Sequence, residues 1–469
     1  MTHTLHPHQL LRRQPRVLVI GAGLAGLSTA LMLQQVGCSV TISTRGVGSL
    51  LLSNGAIDVL GWRSIEDQKP VKNPWAELPS FIERHPEHPY TAIGIDSIVH
   101  GVRWLTDTLP FFDSQPVQTL ADNSLVPTAI GTIHPSAVLA HSMRASAFTP
   151  QKKYLLVDIS HMKDFSANYA AANLKEIYPD AQIRTATISV PVRGKKETDS
   201  LPTSIARGLD GYLDTCERTY LIDAILAERK PGETILLPAV LGVDPNTFAT
   251  IAQELDCPVG EILLPPPSIP GRRINDYLVN LTQKARIDTM LNSTVCGCSV
   301  SDGRITDVHV QIAGSIKHIS VDAVVHAGGG FESGALARDS YGKISETIFD
   351  LPVFAPNDTQ IPTGSGDGSR VRHPELRSLL AHGVRVNSAM QPIAETYGDP
   401  IYTNLYCVGG ILGGSLPWEE ASGEGIALGS AYCAAQAIAK DLQITPINDT
   451  TSHAAQENKS QRNKNDDTD

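Results

Sequence analysis

The chain has 469 residues, of which 41% are hydrophobic and 19% are charged, and its formal net charge is −11 at pH 7. This composition is typical of a globular protein with a substantial core, and it excludes an intrinsically disordered chain. The acidic balance argues against nucleic acid as a partner, because nucleic-acid-binding domains present basic surfaces.

The sequence contains no uninterrupted apolar run long enough to span a bilayer, and its N-terminus lacks the features of a signal peptide. We therefore expect a cytoplasmic protein without a membrane span of its own. The seven cysteines are scattered, and no Cys/His set has the spacing of a zinc or iron–sulfur site. The sequence thus predicts neither a disulfide framework nor a metal site.

The first predicted elements, after a flexible lead-in over residues 1–15, are a strand, a glycine-rich turn and a helix. The strand is the apolar run from Val17 to Ile20. In the turn, Gly21 permits the sharp bend, Gly23 lets the backbone approach a phosphate, and Gly26 allows the helix to pack closely on the strand. The helix N-terminus then offers free N–H groups to an anion. The loop predicted to hold a cofactor phosphate comprises Gly21, Ala22, Gly23, Leu24, Ala25 and Gly26.

The second predicted strand ends without the carboxylate that dinucleotide-binding domains use to bind a ribose. Ser43, Thr44 and Arg45 stand there instead, and no Asp or Glu occurs before Asp58. Three cofactors are compatible with this pattern. FAD could place its adenosine ribose on Ser43 or Thr44, FMN has no adenosine ribose to hold, and NADP could place its 2′-phosphate on Arg45.

A polar, glycine-rich segment directly after this strand argues against NADP. It comprises residues 46–49 and 53–58. Such a segment can place hydroxyl and backbone N–H groups along a ring system rich in hydrogen-bond acceptors, and it is unusual in a nicotinamide domain. The pattern therefore favours a flavin.

The middle of the chain, residues 151–320, is predicted to be an inserted α/β cap domain. Strand-like runs at 154–157 and 183–190 flank a helical pattern at 165–177. Residues 63–89 are rich in proline and charge and are predicted to be connecting loops. The proline-rich segment from Pro265 to Arg273 is predicted to be a rigid loop.

Two further predicted strands run into glycines, one at Ala327/Gly328 and the other at Val408/Gly409. Ligands of open α/β sheets bind at the carboxyl ends of strands, so these two junctions and the first loop are expected to line one crevice. The predicted fold is an α/β, Rossmann-like FAD/NAD(P)-binding flavoprotein fold that is discontinuous in sequence. Residues 16–150 and 321–442 would form the flavin-binding domain, and residues 443–469 a disordered tail.

Several stretches carry a resemblance to a known family: VLVIGAGLAGLSTALML, STRGVGSLLLSNGAIDVLG, LLPPPSIPGRRI, AVVHAGGGFESGALARD and NLYCVGGILGG. In order and spacing they resemble the B-type flavoprotein subunit of the anaerobic glycerol-3-phosphate dehydrogenase along most of the chain, the two tails excepted. The resemblance implies an FMN-bearing subunit, with FAD as the alternative cofactor. It also implies two partners, a FAD-bearing catalytic subunit and an iron–sulfur, membrane-anchoring subunit that would hold this chain at the membrane periphery. That assembly oxidises sn-glycerol 3-phosphate to glycerone phosphate and passes the electrons to quinone.

The resemblance also implies that Ser49, Ser53, Asn54 and Gly55 line the flavin, and that further glycines approach it beyond the first loop. Gly328 and Gly329 would do so from the second junction. The last junction would lie near the N1/C2 side of the ring, through Gly409, Gly410, Gly413 and Gly414.

Residues for the chemistry itself are sparse. A flavin that accepts a hydride from an alcohol needs a base for the hydroxyl proton, and His326 is the candidate. Arg272, Arg273 and Arg338 are candidates for neutralising a phosphate or a reduced flavin. Two other functions stay open: a self-sufficient FAD enzyme acting on another small hydroxy or amino acid, and a non-catalytic scaffold subunit.

Overall fold

The computed structural model describes residues 13–63, 69–113, 122–191, 199–211, 216–354, 374–396 and 398–444. The predicted flexible lead-in (1–15) and disordered tail (443–469) lie largely outside these ranges.

Helices and strands alternate along most of the chain. The helices are α1 (Leu24–Gln35), α2 (Pro74–Arg84), α3 (Pro89–Ile93), α4 (Ile95–Thr108), α5 (Ala167–Ile177), α6 (Pro202–Leu209), α7 (Cys216–Glu228), α8 (Pro245–Leu255), α9 (Ile269–Lys284), α10 (Pro374–Leu380), α11 (Pro417–Glu420) and α12 (Gly423–Asp441). The strands are β1 (Arg16–Ile20), β2 (Ser39–Thr44), β3 (Ser124–Pro127), β4 (Ile133–Ser136), β5 (Lys153–Ile159), β6 (Gln182–Ile188), β7 (Glu233–Pro238), β8 (Val259–Ile262), β9 (Asp288–Leu291), β10 (Ser293–Ser301), β11 (Arg304–Ile312), β12 (Ser315–Ser320), β13 (Ala323–His326), β14 (Leu336–Arg338), β15 (Ile344–Glu346), β16 (Val353–Phe354), β17 (Gly383–Val384) and β18 (Leu405–Cys407).

A parallel sheet with the strand order β18-β13-β1-β2-β9 forms the centre of the fold. β1 lies in its middle because the run from Val17 to Ile20 is apolar on both faces and fully buried. β13 and β18 follow it on one side, so the three predicted strand-to-glycine junctions end at the same edge of the sheet. The sheet confirms the predicted Rossmann-like α/β fold.

Helix α12 packs tightly against two other helices, α1 and α4. Its buried residues Leu428, Ala431, Ala434 and Ile438 recur at helical spacing. Gly101 lets α4 come close, because a Cβ atom there would lie 2.3 Å from the carbonyl oxygen of Leu428. These contacts fix the N-terminus of α12 at the carboxyl edge of the sheet.

The edge strand β9 departs from the predicted domain division. Residues 288–291 lie inside the range predicted to be the inserted cap, yet they pair in parallel with β2, with Thr41 opposite Asp288. β9 has exposed or half-exposed side chains throughout, as an edge strand can, so it carries no apolar pattern that sequence alone would assign to this sheet.

A second parallel sheet, of order β6-β5-β7-β8, is built entirely from residues 153–262. It has a hydrophobic core of its own, which includes Leu155, Leu156, Leu236 and Leu237. Strand β5, helix α5 and strand β6 agree with the strands and helix predicted there. β10, β11 and β12 form an antiparallel sheet, and β3 and β4 form a hairpin.

Two predicted loops contain helices. Asn73 caps α2 by accepting a hydrogen bond from the N–H of Ala76 at 2.9 Å, inside the stretch predicted as loop. Ser268 caps α9 in the same way, accepting from Gly271 N at 3.0 Å. Pro270 is tolerated because the first turn of a helix leaves its N–H groups unpaired anyway. The rigid-loop prediction was therefore wrong beyond Ser268.

Within the described part of the chain, no helix has the length and hydropathy needed to cross a bilayer. The same residues contain no group of three or more His, Cys, Asp or Glu side chains placed to hold a metal ion.

Candidate functional site

The carboxyl ends of β1, β13 and β18 open on a cavity of about 1180 Å³. Most of the predicted cofactor residues line it, although they are far apart in sequence. They are Gly21, Ala22, Gly23, Leu24, Ala25, Thr44, Arg45, Ser49, Ser53, Asn54, Gly328, Gly329, Gly409 and Gly410. The predicted convergence of the three junctions is thus what the fold produces.

The glycine-rich loop has the geometry of an anion cradle. Gly23 is the N-cap of α1, and a Cβ atom there would meet only the hydroxyl of Ser49, at 3.9 Å, so its backbone opens into the cavity. Gly21 has φ +103°, a backbone conformation that favours glycine. A Cβ atom on Gly26 would lie 2.1 Å from Gly21 O, so only glycine allows the helix to pack this closely on the loop. The first turn of α1 carries no acidic residue that would repel an anion.

The cavity continues past this loop to the end of β2. Ser43 and Thr44 line it there, beside Ser293 and Thr294. The Thr44 hydroxyl donates to Gly46 O at 2.6 Å, and the hydroxyls of Ser43 and Ser293 lie 2.8 Å apart. The end of the cavity beside β2 is therefore lined by hydroxyl groups where a carboxylate is missing.

Four glycines that were predicted to bind the cofactor do not line the cavity: Gly26, Gly55, Gly413 and Gly414. Gly26 keeps the packing role that was predicted for it. A Cβ on Gly55 would lie 2.3 Å from Pro270 Cβ, one on Gly413 would lie 2.3 Å from Gly383 N, and one on Gly414 would lie 2.2 Å from Glu87 O. The last three glycines thus permit close approach of chain segments, and the structure places them away from the cofactor side.

His326 is also placed away from the cavity. Its side chain is fully buried, with Nε2 at 3.2 Å from Glu346 Oε1 and Nδ1 accepting from Gly328 N at 3.3 Å. Burial would raise the pKa of Glu346, but His326 and the neighbouring backbone amides hold it below its ordinary value. Since both ring nitrogens are engaged inside the protein, His326 holds the strand end in place and is not a base facing a substrate.

The predicted anion-neutralising arginines do not line the cavity either. Arg273 is buried and forms a two-pronged ion pair with Glu261, at 2.6 and 2.9 Å. Arg272 pairs with Asp276 on its own helix, and Arg338 is exposed.

A cluster around Asp58 and His134 is the part of the site that the sequence did not reveal. Asp58 Oδ2 accepts from His134 Nε2 at 2.7 Å and from Asn54 Nδ2 at 3.0 Å, and Oδ1 accepts from Ser136 Oγ at 2.6 Å. Beside it, Ser53 Oγ donates to Glu424 Oε1 at 3.0 Å. Asp58, His134 and Glu424 all line the cavity.

Local folding brings this cluster together. Asn54 Oδ1 accepts from Ala56 N at 2.7 Å, which turns the chain so that Asp58 follows on the same side. Ile57 bridges to Val138 just after β4, which positions His134. Gly425 N donates to Asp58 O at 2.8 Å and fixes the start of α12 there.

The three titratable groups have different protonation preferences. Burial would raise the pKa of Asp58, but His134, Ser136 and Asn54 hold it below its ordinary value. Burial would lower the pKa of His134, and Asp58 raises it. Burial and the charge of Asp58 raise the pKa of Glu424 to about 8. An ionised carboxylate, a histidine whose pKa is raised and a carboxyl group that keeps its proton at neutral pH therefore line one cavity, and such divergent pKa values are typical of acid–base sites.

Comparison with known proteins agrees with this geometry. A family model described as "FAD binding domain" matches residues 16–426. The chain is 28% identical over 444 residues to a probable B-type subunit of the anaerobic glycerol-3-phosphate dehydrogenase of Halobacterium salinarum, covering 92% of this chain and 99% of that protein. It is 28% identical over 462 residues to the corresponding anaerobic glycerol-3-phosphate dehydrogenase subunit of Aliivibrio fischeri, covering 91% and 96%. It is 26% identical over 435 residues to that of Yersinia pestis, covering 92% and 99%.

These relatives confirm the resemblance predicted from the sequence, and the family match confirms a flavin as the cofactor. The match indicates FAD more directly than FMN, which was the first expectation.

Proposed function

This chain belongs to the FAD binding domain family, and we propose that it is the flavoprotein subunit of an anaerobic glycerol-3-phosphate dehydrogenase. Its reaction is the oxidation of sn-glycerol 3-phosphate to glycerone phosphate, with the electrons passed on to quinone. The observation that carries the proposal is one cavity that joins an open phosphate loop at Gly23 to an acid–base pair, Asp58 and His134. The names of the relatives support the choice of substrate.

We propose FAD as the bound flavin. The backbone of the Gly21–Gly26 loop would hold its phosphates at the N-terminus of α1, and its adenosine would lie along the hydroxyl-lined extension at Ser43 and Thr44. Ser49, beside Gly23, would line the part near the phosphates, and Asn54, beside His134, the part nearer the reacting end. When bound, the flavin supplies a two-electron acceptor that takes a hydride from the carbon bearing the hydroxyl.

His134 is the proposed base for the hydroxyl proton. A carboxylate oxygen only accepts hydrogen bonds, so the 2.7 Å contact to Asp58 places the ring proton on Nε2. Neutral His134 therefore presents the lone pair of Nδ1, and no hydrogen bond to Nδ1 is found among the described residues. Asp58 fixes this tautomer and stabilises the imidazolium that forms when the proton is taken.

The proposed assembly includes a FAD-bearing catalytic subunit and an iron–sulfur subunit that anchors it to the membrane. The chain would then sit on the cytoplasmic side and reach the membrane only through that partner. The word "subunit" in the names of the relatives supports the existence of partners. Co-purification of this chain with two such proteins would test the proposal, and isolation of the chain from its native source without either of them would contradict it.

The reaction is tested with the flavin-loaded protein, glycerol 3-phosphate and an artificial dye acceptor. We expect His134→Gln to lower kcat by about 10²–10⁴-fold while the flavin content stays unchanged, because only the base is lost. His141→Gln is the matched control, since His141 also pairs with a carboxylate, Asp113 at 3.3 Å, but lies outside the cavity. Equal activity of both variants would contradict the assignment of His134.

A further inference from the structure

The reacting end of the cavity is poor in cations. Among the residues that the structure describes, Arg45 is the one arginine or lysine that lines the cavity. It lies at the end of β2, where Nη1 donates to Ser333 O at 3.3 Å. Two carboxyl groups lie beside the proposed base His134: Asp58, which contacts it, and Glu424, whose pKa both of these groups affect. A phosphate-bearing substrate at that end would therefore face two carboxyl groups, which repel it if both are ionised.

Geometry separates the roles of these two carboxyl groups. Asp58 accepts hydrogen bonds from His134, Asn54 and Ser136, which suits a carboxylate. Glu424 accepts one hydrogen bond from another residue, from Ser53, and is otherwise supported by its own backbone N–H. Two neighbouring carboxyl groups in one partly buried cavity do not both ionise, and the less well-supported one keeps its proton. That group is Glu424.

Other titratable groups approach Glu424 from the packed elements. Asp58 lies in the segment that follows Asn54, and His134 lies on β4. Asp58 raises the pKa of Glu424, and His134 lowers it. Tyr90 comes from α3; burial raises its pKa well above the ordinary value, and it donates to Val59 O at 2.5 Å. Glu420 on α11 stays ionised, because His88 at 3.1 Å helps to hold its pKa below the ordinary value against the effect of burial. His134, which can carry a positive charge, lowers the pKa of Glu424, but burial and the charge of Asp58 outweigh this effect.

We propose that Glu424 is a substrate-binding residue that donates the O–H of its protonated carboxyl group to a phosphate oxygen of the substrate. This proposal rests on the proposed function. A phosphate oxygen is an anionic acceptor, and a protonated carboxyl is a donor that carries no charge to repel it. Ionisation of Glu424 removes the donor and adds a negative charge, so binding weakens as the pH rises through about 8, the pKa of this group.

The first experiment measures glycerol 3-phosphate binding to the flavin-loaded protein at pH 7 and pH 9, from the perturbation of the flavin absorbance. We expect the dissociation constant of the wild type to rise by about tenfold more than that of Glu424→Gln between these pH values, since one pH unit above the pKa roughly a tenth of the group stays protonated. The amide of Gln keeps a donor at both pH values. The ligand titrates identically with both proteins, and His134 is present in both, so their contributions largely cancel in the comparison.

Two further variants sharpen the test. Glu424→Ala should weaken binding at pH 7 by about tenfold or more, because the donor is lost without replacement. Glu332→Gln, which removes an exposed carboxylate from the same cavity, should keep the pH dependence of the wild type. Infrared difference spectra provide an independent readout: the band of a protonated carboxyl at pH 7 should be absent from Glu424→Gln, and in the wild type it should fall to about a tenth at pH 9.

The outcomes are distinguishable. Binding that weakens equally in the wild type and in Glu424→Gln, or a wild type without the protonated carboxyl band at pH 7, refutes the role of Glu424 alone. Failure of the flavin-loaded wild type to bind glycerol 3-phosphate at pH 7 refutes the proposed function, and the role of Glu424 with it.

Discussion

Replacing Gly23 by valine should separate cofactor binding from folding. Gly23 has φ −81° and ψ −175°, an extended conformation that β-branched residues adopt readily. A Cβ atom there meets only Ser49 Oγ, at 3.9 Å, so the protein without flavin should lose no more than about 0.5 kcal/mol of unfolding free energy.

The effect on the flavin follows from the same geometry. The valine side chain would occupy the space in which the phosphate approaches the backbone N–H groups at the start of α1. Loss of two hydrogen bonds to a charged group, at about 1.5–3 kcal/mol each, amounts to about 3–6 kcal/mol. The dissociation constant for FAD should therefore rise by about 10²–10⁴-fold.

Flavin titration followed by fluorescence, together with thermal unfolding of the flavin-free protein, measures both effects. Gly26→Ala is the contrasting variant, because its Cβ would lie 2.1 Å from Gly21 O and must displace the loop itself. That variant should lose thermal stability as well as flavin. Stoichiometric FAD bound tightly by Gly23→Val would refute the assignment of the loop as the phosphate site.

Three more predictions concern the acid–base cluster and the second core. Asp58→Asn should lower kcat by about 10²–10⁴-fold with the flavin retained, because an amide no longer enforces the Nε2–H tautomer of His134, and steady-state kinetics would show it. The pH profile of kcat/KM should be bell-shaped. It should rise as His134, whose pKa is raised, loses its proton, and it should fall as Glu424 ionises near pH 8. A profile that stays flat from pH 6 to 9 would contradict these roles. Glu261→Gln should lower the unfolding free energy by about 3–5 kcal/mol, because it leaves the guanidinium of Arg273 buried without its anion. Urea titrations measure this loss, and a value below about 1 kcal/mol would show that water reaches the pair.

The parts of the fold that follow from local pattern could be predicted from the sequence. β1, the Gly21–Gly26 loop and α1 combine a buried apolar run, turn chemistry and helical spacing within 20 residues, from Arg16 to Gln35. Strand ends that run into glycine at Gly328 and Gly409 were informative for the same reason. β9 was not, because an edge strand with exposed side chains has no periodic signature.

The acid–base cluster could not be predicted in the same way. Asp58 and His134 are 76 residues apart, and His134 lies on a four-residue strand without a flanking motif. His326 was the more conspicuous histidine because it stands just before the Gly328–Gly330 run. Its buried contact with Glu346, 20 residues further along the chain, could not be predicted from the sequence. The polar segment at residues 53–58 was the usable signal, since three of its side chains, Ser53, Asn54 and Asp58, line the cavity.

We propose that a flavin with two phosphates and an adenosine lies in the cavity above the Gly21–Gly26 loop. Releasing the cofactor from the purified protein and determining its mass and its molar ratio to the chain tests this most directly. We predict one FAD for each chain. Recovery of FMN would contradict the assignment of the Ser43 and Thr44 end of the cavity to the adenosine, and recovery of no flavin would contradict the account as a whole.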